Sequence, residues 1–454
     1  MAQKTEVSII LEHVRSFAAK QEVPIRPLTL LVGENSSGKT TFLGVVSCVF
    51  DSSRFPMKPG FNEAPYHLGT FETIATYKGG RYGRDSTFMV GFQSRESSGK
   101  EPLRLIATYG GEYGNVVPKA VQLSGGRPVS FDLTIAGTHV SGTFKLTNDE
   151  TGQQVLISSE IDDPSASTIP FPSLIVQLLM SAHAQSGDRD ARESAFPFPR
   201  IAASKQFFDW VSEVAAVVYA DVDVPFKGSF SFSPIRSKPR RTYDEFSEDY
   251  SPEGDHIPTV LARLLGEQPK SPEATQVRDA LERFGRESGL FKGIRVKRLG
   301  KDSADPFQLQ IGVAGPFVNL ADVGYGVSQA LPLIVQSVLR TRSRVLLMQQ
   351  PEVHLHPQAQ AALGTFFSGL ASAGGRTFLV ETHSDYLVDR VRQEVARGTI
   401  PPEDVLILFF DKPKLETTVW PLTMDRNGNI QGVPPSYRRF FVDEEMRLLR
   451  RTAV

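Results

Sequence analysis

The stretch from Leu28 to Leu43, LTLLVGENSSGKTTFL, constrains this chain more than any other. Leu28 to Val32 form an apolar run with the length and composition of a buried strand. Gly33 to Thr40 then satisfy the phosphate-loop pattern G-x-x-x-x-G-K-[ST] at every specified position. Gly33 and Gly38 let the backbone curl so that successive N–H groups converge on an anion, and Asn35, Ser36, Ser37 and Thr41 add to that nest. The helix that begins at the loop contributes the positive end of its dipole. Lys39 is expected to reach the β- and γ-phosphates, and the Thr40 hydroxyl to ligate Mg²⁺. The rival reading, a Gly/Ser-rich surface turn, leaves the strand before the loop unexplained. It also leaves the helical spacing of Phe42, Leu43, Val45 and Val46 after it without a cause. The expectation is a nucleotide-binding protein with ATP and Mg²⁺ as its cofactors.

Composition narrows the class. A chain of 454 residues corresponds to about three domain-sized units, or to one domain carrying a large insertion. With 40% hydrophobic and 22% charged residues it reads as an ordinary globular chain. A net charge of −1 gives no global basic field for nucleic acid. The lone cysteine, Cys48, rules out an intrachain disulfide and suits a reducing cytosol. The N-terminus lacks a signal-peptide layout, and no apolar run is long enough to span a bilayer. A cytoplasmic protein with no membrane partner is expected.

Along the chain, VSIIL (Val7 to Leu11) and Pro27 to Val32 read as strands around the loop HVRSFAAKQEV. Such a hairpin would bring Arg15 and Phe17 near the base end of a nucleotide. Residues 87–160 are dominated by strand signals: STFMVGF, LRLIATY, SFDLTIAG, VSGTFKLTN and QQVLISSEI. Helical spacing returns at Ser173 to Ala184 and at Ser204 to Ala216, with a polar, proline-bearing loop between them and the strand-like VVYADVDV after them. FSPIRSKPRRTY then carries Arg236, Lys238, Arg240 and Arg241, either a solvated loop or a phosphate or partner contact. Helices over Thr259 to Leu265 and Glu273 to Ser288 precede KGIRVKRL and FQLQIGVA, strands that lead back into the core. From Asn319 onward strands and helices alternate, which predicts a parallel α/β sheet. The expected organisation is a P-loop core from 1–50 and 301–425, an inserted lobe over 51–300 (β-rich at 87–160, helical at 173–290) and a tail over 426–454.

A phosphate loop needs partners that hold the metal and orient water, usually at the end of a neighbouring strand. VLLMQQPEVHLHP, ETHSD and the Gly-containing helix entry GYGVSQ are the candidates. Taken in order, GENSSGKTT, VGYGVSQ, QQPEVHLHP and ETHSD resemble the ABC/SMC-clade ATPases. More narrowly, they resemble the OLD-like AAA ATPases of bacterial anti-phage defence systems such as PARIS and Septu. The resemblance covers roughly 1–50 and 300–425. It implies that Gly33 to Thr40 is the Walker A loop, Gly324 to Gln329 the signature motif, and Pro351 to His356 the segment after Walker B. His383 would be the switch histidine. It further implies a homo-oligomer, at least a dimer, with ATP sandwiched between the Walker A loop of one subunit and Gly326 and Ser328 of another. The role implied is a sensor or regulatory subunit of a defence system, controlling a separate effector such as a nuclease and triggered by a phage protein or DNA. A Toprim nuclease domain of the OLD kind is not expected in the tail after Phe410.

The sequence departs from that family at one place. The acidic pair that ends Walker B is replaced by Gln349 and Gln350. An amide can hold a water or face a metal, but it cannot act as a general base and adds no negative charge. Gln349 therefore stands at the metal position, and Gln350 with Glu352 at the water position, which predicts slow turnover. Glu352 either takes over as base or merely opens a helix, where the dipole favours it. His383 either senses the γ-phosphate or caps the helix beginning at THSD. GYGVSQ is either a second phosphate-binding tip or a tight turn. His354 and His356 could be a metal pair, yet no third ligand stands at suitable spacing. Arg438, Arg439, Arg447, Arg450 and Arg451 mark either a docking helix or a solvated one. Two rivals remain: an ATP-gated scaffold that does not hydrolyse, and an SMC-like DNA-repair ATPase. The second would call for a coiled coil, and no heptad run is long enough for one.

Overall fold

A computed structural model describes residues 6–80, 83–95, 101–125, 129–147, 154–163, 228–244, 248–302, 305–339 and 345–437, with scattered positions between 171 and 181. The expected helix at Ser204 to Ala216, VVYADVDV and the C-terminal arginines lie outside the described residues. The chain opens with β1 (Glu6–Glu12), β2 (Gln21–Ile25) and β3 (Leu28–Gly33), and α1 (Lys39–Val49) follows the phosphate loop. After α2 (Phe71–Ile74) come β4 (Thr87–Arg95), β5 (Leu103–Glu112), β6 (Asn115–Ser124), β7 (Val129–Ala136), β8 (His139–Thr147) and β9 (Gln154–Asp162). Next are β10 (Ser229–Phe232), α3 (Ile257–Leu261), α4 (Pro272–Ser288), β11 (Gly293–Arg298), β12 (Phe307–Gly312) and β13 (Val318–Asn319). The remainder alternates as α5 (Tyr325–Val338), β14 (Val345–Gln349), α6 (Pro357–Ser372), β15 (Thr377–Glu381), α7 (Asp385–Ala396) and β16 (Val405–Asp411). The last strands are β17 (Thr418–Met424) and β18 (Ile430–Gln431).

Two compact units result. One comprises Arg26–Thr40, Ser229–Asp411 and Val419–Val454. The other comprises Met1–Ile25, Thr41–Gly228 and Lys412–Thr418. The first is built on a sheet ordered β10-β14-β15-β3-β16-β17-β18. Its strands β10, β14, β15, β3 and β16 run parallel. Each of the central strands is buried along nearly its whole length, the mark of a sheet covered on both faces. Phe367 of α6 meets Phe378 of β15 with ring centroids 5.3 Å apart, and Phe284 of α4 meets Phe366 at 6.1 Å. α4 starts cleanly because the Ser271 hydroxyl accepts from the Ala274 N–H, and it stops at Gly289, whose φ of 71° an L side chain would resist. The fold class is the one expected: an α/β core of the P-loop type, in which β3 runs directly into the phosphate loop.

The other unit carries an antiparallel sheet ordered β2-β1-β4-β5-β6-β7-β8-β9. Phe61, Phe88 and Tyr109 pack at its base with centroids 5.4 Å apart, and the Tyr109 hydroxyl donates to the Pro56 carbonyl. Two of its strands escape sequence reading, each because of a proline. Pro24 sits in β2, at the edge of the sheet, where a missing N–H costs little. Pro118 sits in β6 at a register shift opposite Thr108 and Tyr109, a bulge that tolerates the lost donor.

Several boundaries differ from the sequence partition. β1 joins the antiparallel sheet rather than the parallel one. Residues 229–300 fall with the core unit, through β10, α3 and α4. β11 and β12 do not enter the parallel sheet; with β13 they form a separate antiparallel sheet. The physical reason is the apolar/polar alternation of GIRVKR and FQLQIG, with β11 half-exposed along its length, which suits an antiparallel ribbon and not a doubly covered strand.

Leu30 is wholly buried in the middle of β3, the strand that leads into the loop. Leu30→Ala is expected to cost about 2–5 kcal/mol of stability, measured as a lower urea midpoint at unchanged slope.

Candidate active site

The loop between β3 and α1 is held by backbone geometry that its glycines permit. Gly33 has φ 144° and Gly38 has φ 102°. A Cβ on Gly33 would lie 2.5 Å from the Phe410 carbonyl oxygen at the end of β16, so the neighbouring strand itself dictates glycine here. Asn35 and Ser36 are exposed on the loop, while Ser37 is buried. The Lys39 ammonium donates to the carbonyls of Gly33 (2.9 Å) and Glu34 (2.7 Å). Burial lowers its pKa, against the raising influence of Glu381, Glu34 and Glu352. The Thr40 hydroxyl donates to the Glu381 carboxylate, 3.1 and 3.0 Å from its two oxygens. Thr41 turns elsewhere: its hydroxyl accepts from Arg15 at 3.1 Å, and Arg15 also donates to the Leu68 carbonyl at 2.8 Å.

The ends of β14 and β15 face this loop in register. Gln349 pairs with Glu381, and Glu381 with Leu31 of β3. Beyond that row the strands are tied by single bonds. The Gln350 N–H donates to the Glu381 carbonyl (2.8 Å), and the Thr382 N–H to the Leu31 carbonyl (3.0 Å). Gln350 adopts φ 42°, in the left-handed region, as the chain turns away from the sheet. Glu352 follows, 8% exposed, and its Oε1 accepts from the His383 N–H at 2.7 Å. Its Oε2 is buried without a partner. Burial raises the Glu352 pKa, countered by the hydrogen bonds from His383, its own N–H and Thr382 and by the charge of Arg236. Burial also raises the Glu381 pKa, countered by Lys39 and Thr40, with Glu352 adding to the rise. The His383 imidazole is lowered by burial and by the Lys39 charge, so it is neutral at pH 7.

The structure thus gathers Lys39, Thr40, Gln349, Gln350, Glu352 and His383 around one loop, and adds Glu381, to which sequence reading gave no role. A signal was available. A carboxylate ending the apolar strand TFLVE must be buried, and a buried charge requires a partner. Gly326 and Ser328 lie apart, in the first turns of α5. A Cβ on Gly326 would stand 3.2 Å from the His354 carbonyl, and the Ser328 hydroxyl donates to the Tyr325 carbonyl at 2.9 Å. His354 takes φ 65° and sets its ring against that of Tyr325, centroids 6.0 Å apart, while His356 stands at the cap of α6. Among the described residues no group of three or more His, Cys, Asp or Glu is arranged to hold a metal ion.

The basic stretch resolves unevenly. Lys238, Arg240 and Arg241 are exposed, and Arg241 pairs with Asp322. Arg236 is 3% exposed and lies inside the core unit.

Residues 234–389 match a family model described as "AAA domain, putative AbiEii toxin, Type IV TA system". That span takes in Arg236, α5, Glu352 and His383 and leaves out the phosphate loop. No curated protein matches the chain. Among solved structures, an SMC head bound to the C-winged helix domain of ScpA is 11% identical at a TM-score of 0.45, covering 92% of this chain and 98% of that one. An SMC head with an extended coiled coil from Pyrococcus furiosus, bound to the C-terminal domain of ScpA, is 10% identical at 0.43, covering 99% and 100%. The SMC head of Thermotoga maritima is 10% identical at 0.35, covering 93% and 99%. Among the described residues no helix is long and apolar enough to cross a membrane.

Because burial holds the folded Glu381 carboxyl above its ordinary value, folding favours its protonated form, and stability falls as pH rises through the raised value. Glu381→Gln removes that charge. Thermal unfolding in EDTA is expected to give the variant the higher melting temperature at pH 8, with the gap closing as pH drops below the ordinary carboxylate range. A gap indifferent to pH would contradict this.

Proposed function

We propose that this chain binds ATP with Mg²⁺ at the loop between β3 and α1 and hydrolyses it slowly, closing as a dimer around the nucleotide. The cycle would regulate a separate effector, such as a nuclease, in anti-phage defence. The observation that carries the ATPase reading is the pairing of Thr40 with Glu381 beside Lys39, together with the buried, unsatisfied Oε2 of Glu352.

The residues suit a magnesium nucleotide. A hydroxyl and a carboxylate side by side are the hard oxygen donors Mg²⁺ prefers, and such sites usually use one or two carboxylates beside the phosphates. Glu381 then answers the departure in Walker B. Gln349 and Glu381 are in-register neighbours on adjacent parallel strands, so the negative charge is displaced by a single strand spacing, about 4.8 Å. When bound, the metal would neutralise phosphate charge during transfer. Lys39, already desolvated among carbonyls, exchanges those contacts for phosphate oxygens. Glu352, fixed through Oε1 by the His383 N–H, keeps Oε2 to accept a proton from water, and its raised pKa makes it a stronger base than an exposed glutamate. The Gln350 amide orients the same water. The neutral His383 imidazole donates to a phosphate oxygen without adding charge. Gly326 and Ser328, at the N-terminal turns of α5, complete the site of a second subunit.

The defence role rests on the order of the motifs and on the family description matched over residues 234–389. The second reading, a scaffold that binds ATP without turnover, is favoured by the two amides at Gln349 and Gln350.

Turnover with Mg²⁺ and oligomer mass with ATP separate the readings. For the ATPase, Lys39→Ala should lose ATP binding and the mass change together. Glu352→Gln should keep both while kcat falls at least about 100-fold, the contribution of a general base. A parent that changes mass with ATP but never releases phosphate would be the scaffold.

A further inference from the structure

Arg236 is the most deeply buried cation of the basic stretch, and its contacts run in two directions. On one side it holds Gln329, the residue after Ser328 on α5. The Arg236 N–H and Nε both donate to Gln329 Oε1, at 3.3 and 3.4 Å, and Gln329 Nε2 donates back to the Arg236 carbonyl at 3.5 Å. On the other side Nη2 donates to the Pro351 carbonyl at 3.4 Å, in the turn that presents Glu352. These bonds are all long, near the outer limit for hydrogen bonding. Nη1 is buried with no partner. Burial lowers the guanidinium pKa to about 10, with the Glu352 charge raising it, so the group is still cationic at neutral pH.

An arginine is costly to bury and is tolerated where its charge is answered. Here the charge that answers it is Glu352, whose own Oε2 is also buried and unsatisfied. Two opposite charges inside one unit, each with an unpartnered buried polar atom, are connected through the Pro351 turn. The connection runs from the first turns of α5 through Gln329 and Arg236 to the Glu352 carboxylate. From there it continues to the His383 N–H.

We propose that Arg236 is a positioning residue for hydrolysis: it links Gln329 on α5 to the turn that carries Glu352 and so sets where that carboxylate stands. The inference rests on Glu352 being the base. In a dimer whose second nucleotide lies against α5, a displacement of that helix on closure is passed through Gln329 and Arg236 to the Glu352 turn. Closure and base placement then occur together.

The test compares Arg236→Met, Gln329→Leu and the double variant with the parent, measuring kcat, KM and the affinity for a fluorescent ATP analogue. Misplacing a catalytic group by about 1 Å costs up to about 100-fold. Each single variant should therefore lose about ten- to a hundredfold in kcat, with analogue affinity within about twofold. The double variant should be no worse than the poorer single one, since both cut one linkage. Losses that multiply, weakened affinity with unchanged kcat, or parental kcat would each overturn the proposal. Should Arg236→Met fail to fold, Gln329→Leu decides alone, because it leaves the buried charge in place. Parental kcat in Glu352→Gln would instead overturn the reading of Glu352 as base, whatever the Arg236 variants do.

Discussion

A buried carboxylate at the end of a parallel strand is the constraint on which the rest of this site depends. Glu381 is removed from water by the β14 and β3 strands on either side, a cost that Thr40 and Lys39 offset only in part. Its position also governs the backbone around it. The Glu381 carbonyl accepts the Gln350 N–H, and the next residue's N–H is taken by Leu31. Three strand ends are thereby tied into one platform, and the phosphate loop, the Glu352 turn and the His383 turn all leave from it.

That platform sets a carboxylate beside the two glutamines, on the adjacent strand. A carboxylate on β14 and one on β15 differ by one strand spacing, and the Thr40 hydroxyl lies within reach of the second. A negative charge therefore stands beside the loop on β15, next to the neutral amides of β14. Glu352 has a separate fate. Held by one oxygen and left with the other unsatisfied, it is a buried group with unspent hydrogen-bonding capacity, which is uncommon outside functional sites.

Most of the core was legible in the sequence because its signals are local. An apolar run followed by glycines at fixed spacing predicts β3 and its loop, and short strands alternating with helices predict the parallel order. What the sequence hid are pairings between distant segments. Glu381 gains its meaning only from the register that sets it beside Gln349 and within reach of Thr40, and Arg236 only from the fold that carries it inward from a stretch that reads either as solvated or as a phosphate or partner contact. β2 and β6 were hidden for a different reason: a proline normally argues against a strand, and here an edge and a bulge remove the objection. β11 and β12 were legible as strands leading back into the core, and their alternating polarity suits the separate antiparallel ribbon they form with β13.

In the proposed ATPase the metal-side charge sits on β15 rather than on β14. The most direct measurement is Mn²⁺ affinity by electron paramagnetic resonance in the presence of a non-hydrolysable ATP analogue. It should be made on the parent, on Glu381→Gln and on the swapped variant Gln349→Asp/Glu381→Gln. Mn²⁺ binding should weaken in the single variant and recover in the swapped one. Parental Mn²⁺ affinity in Glu381→Gln would contradict this placement of the charge.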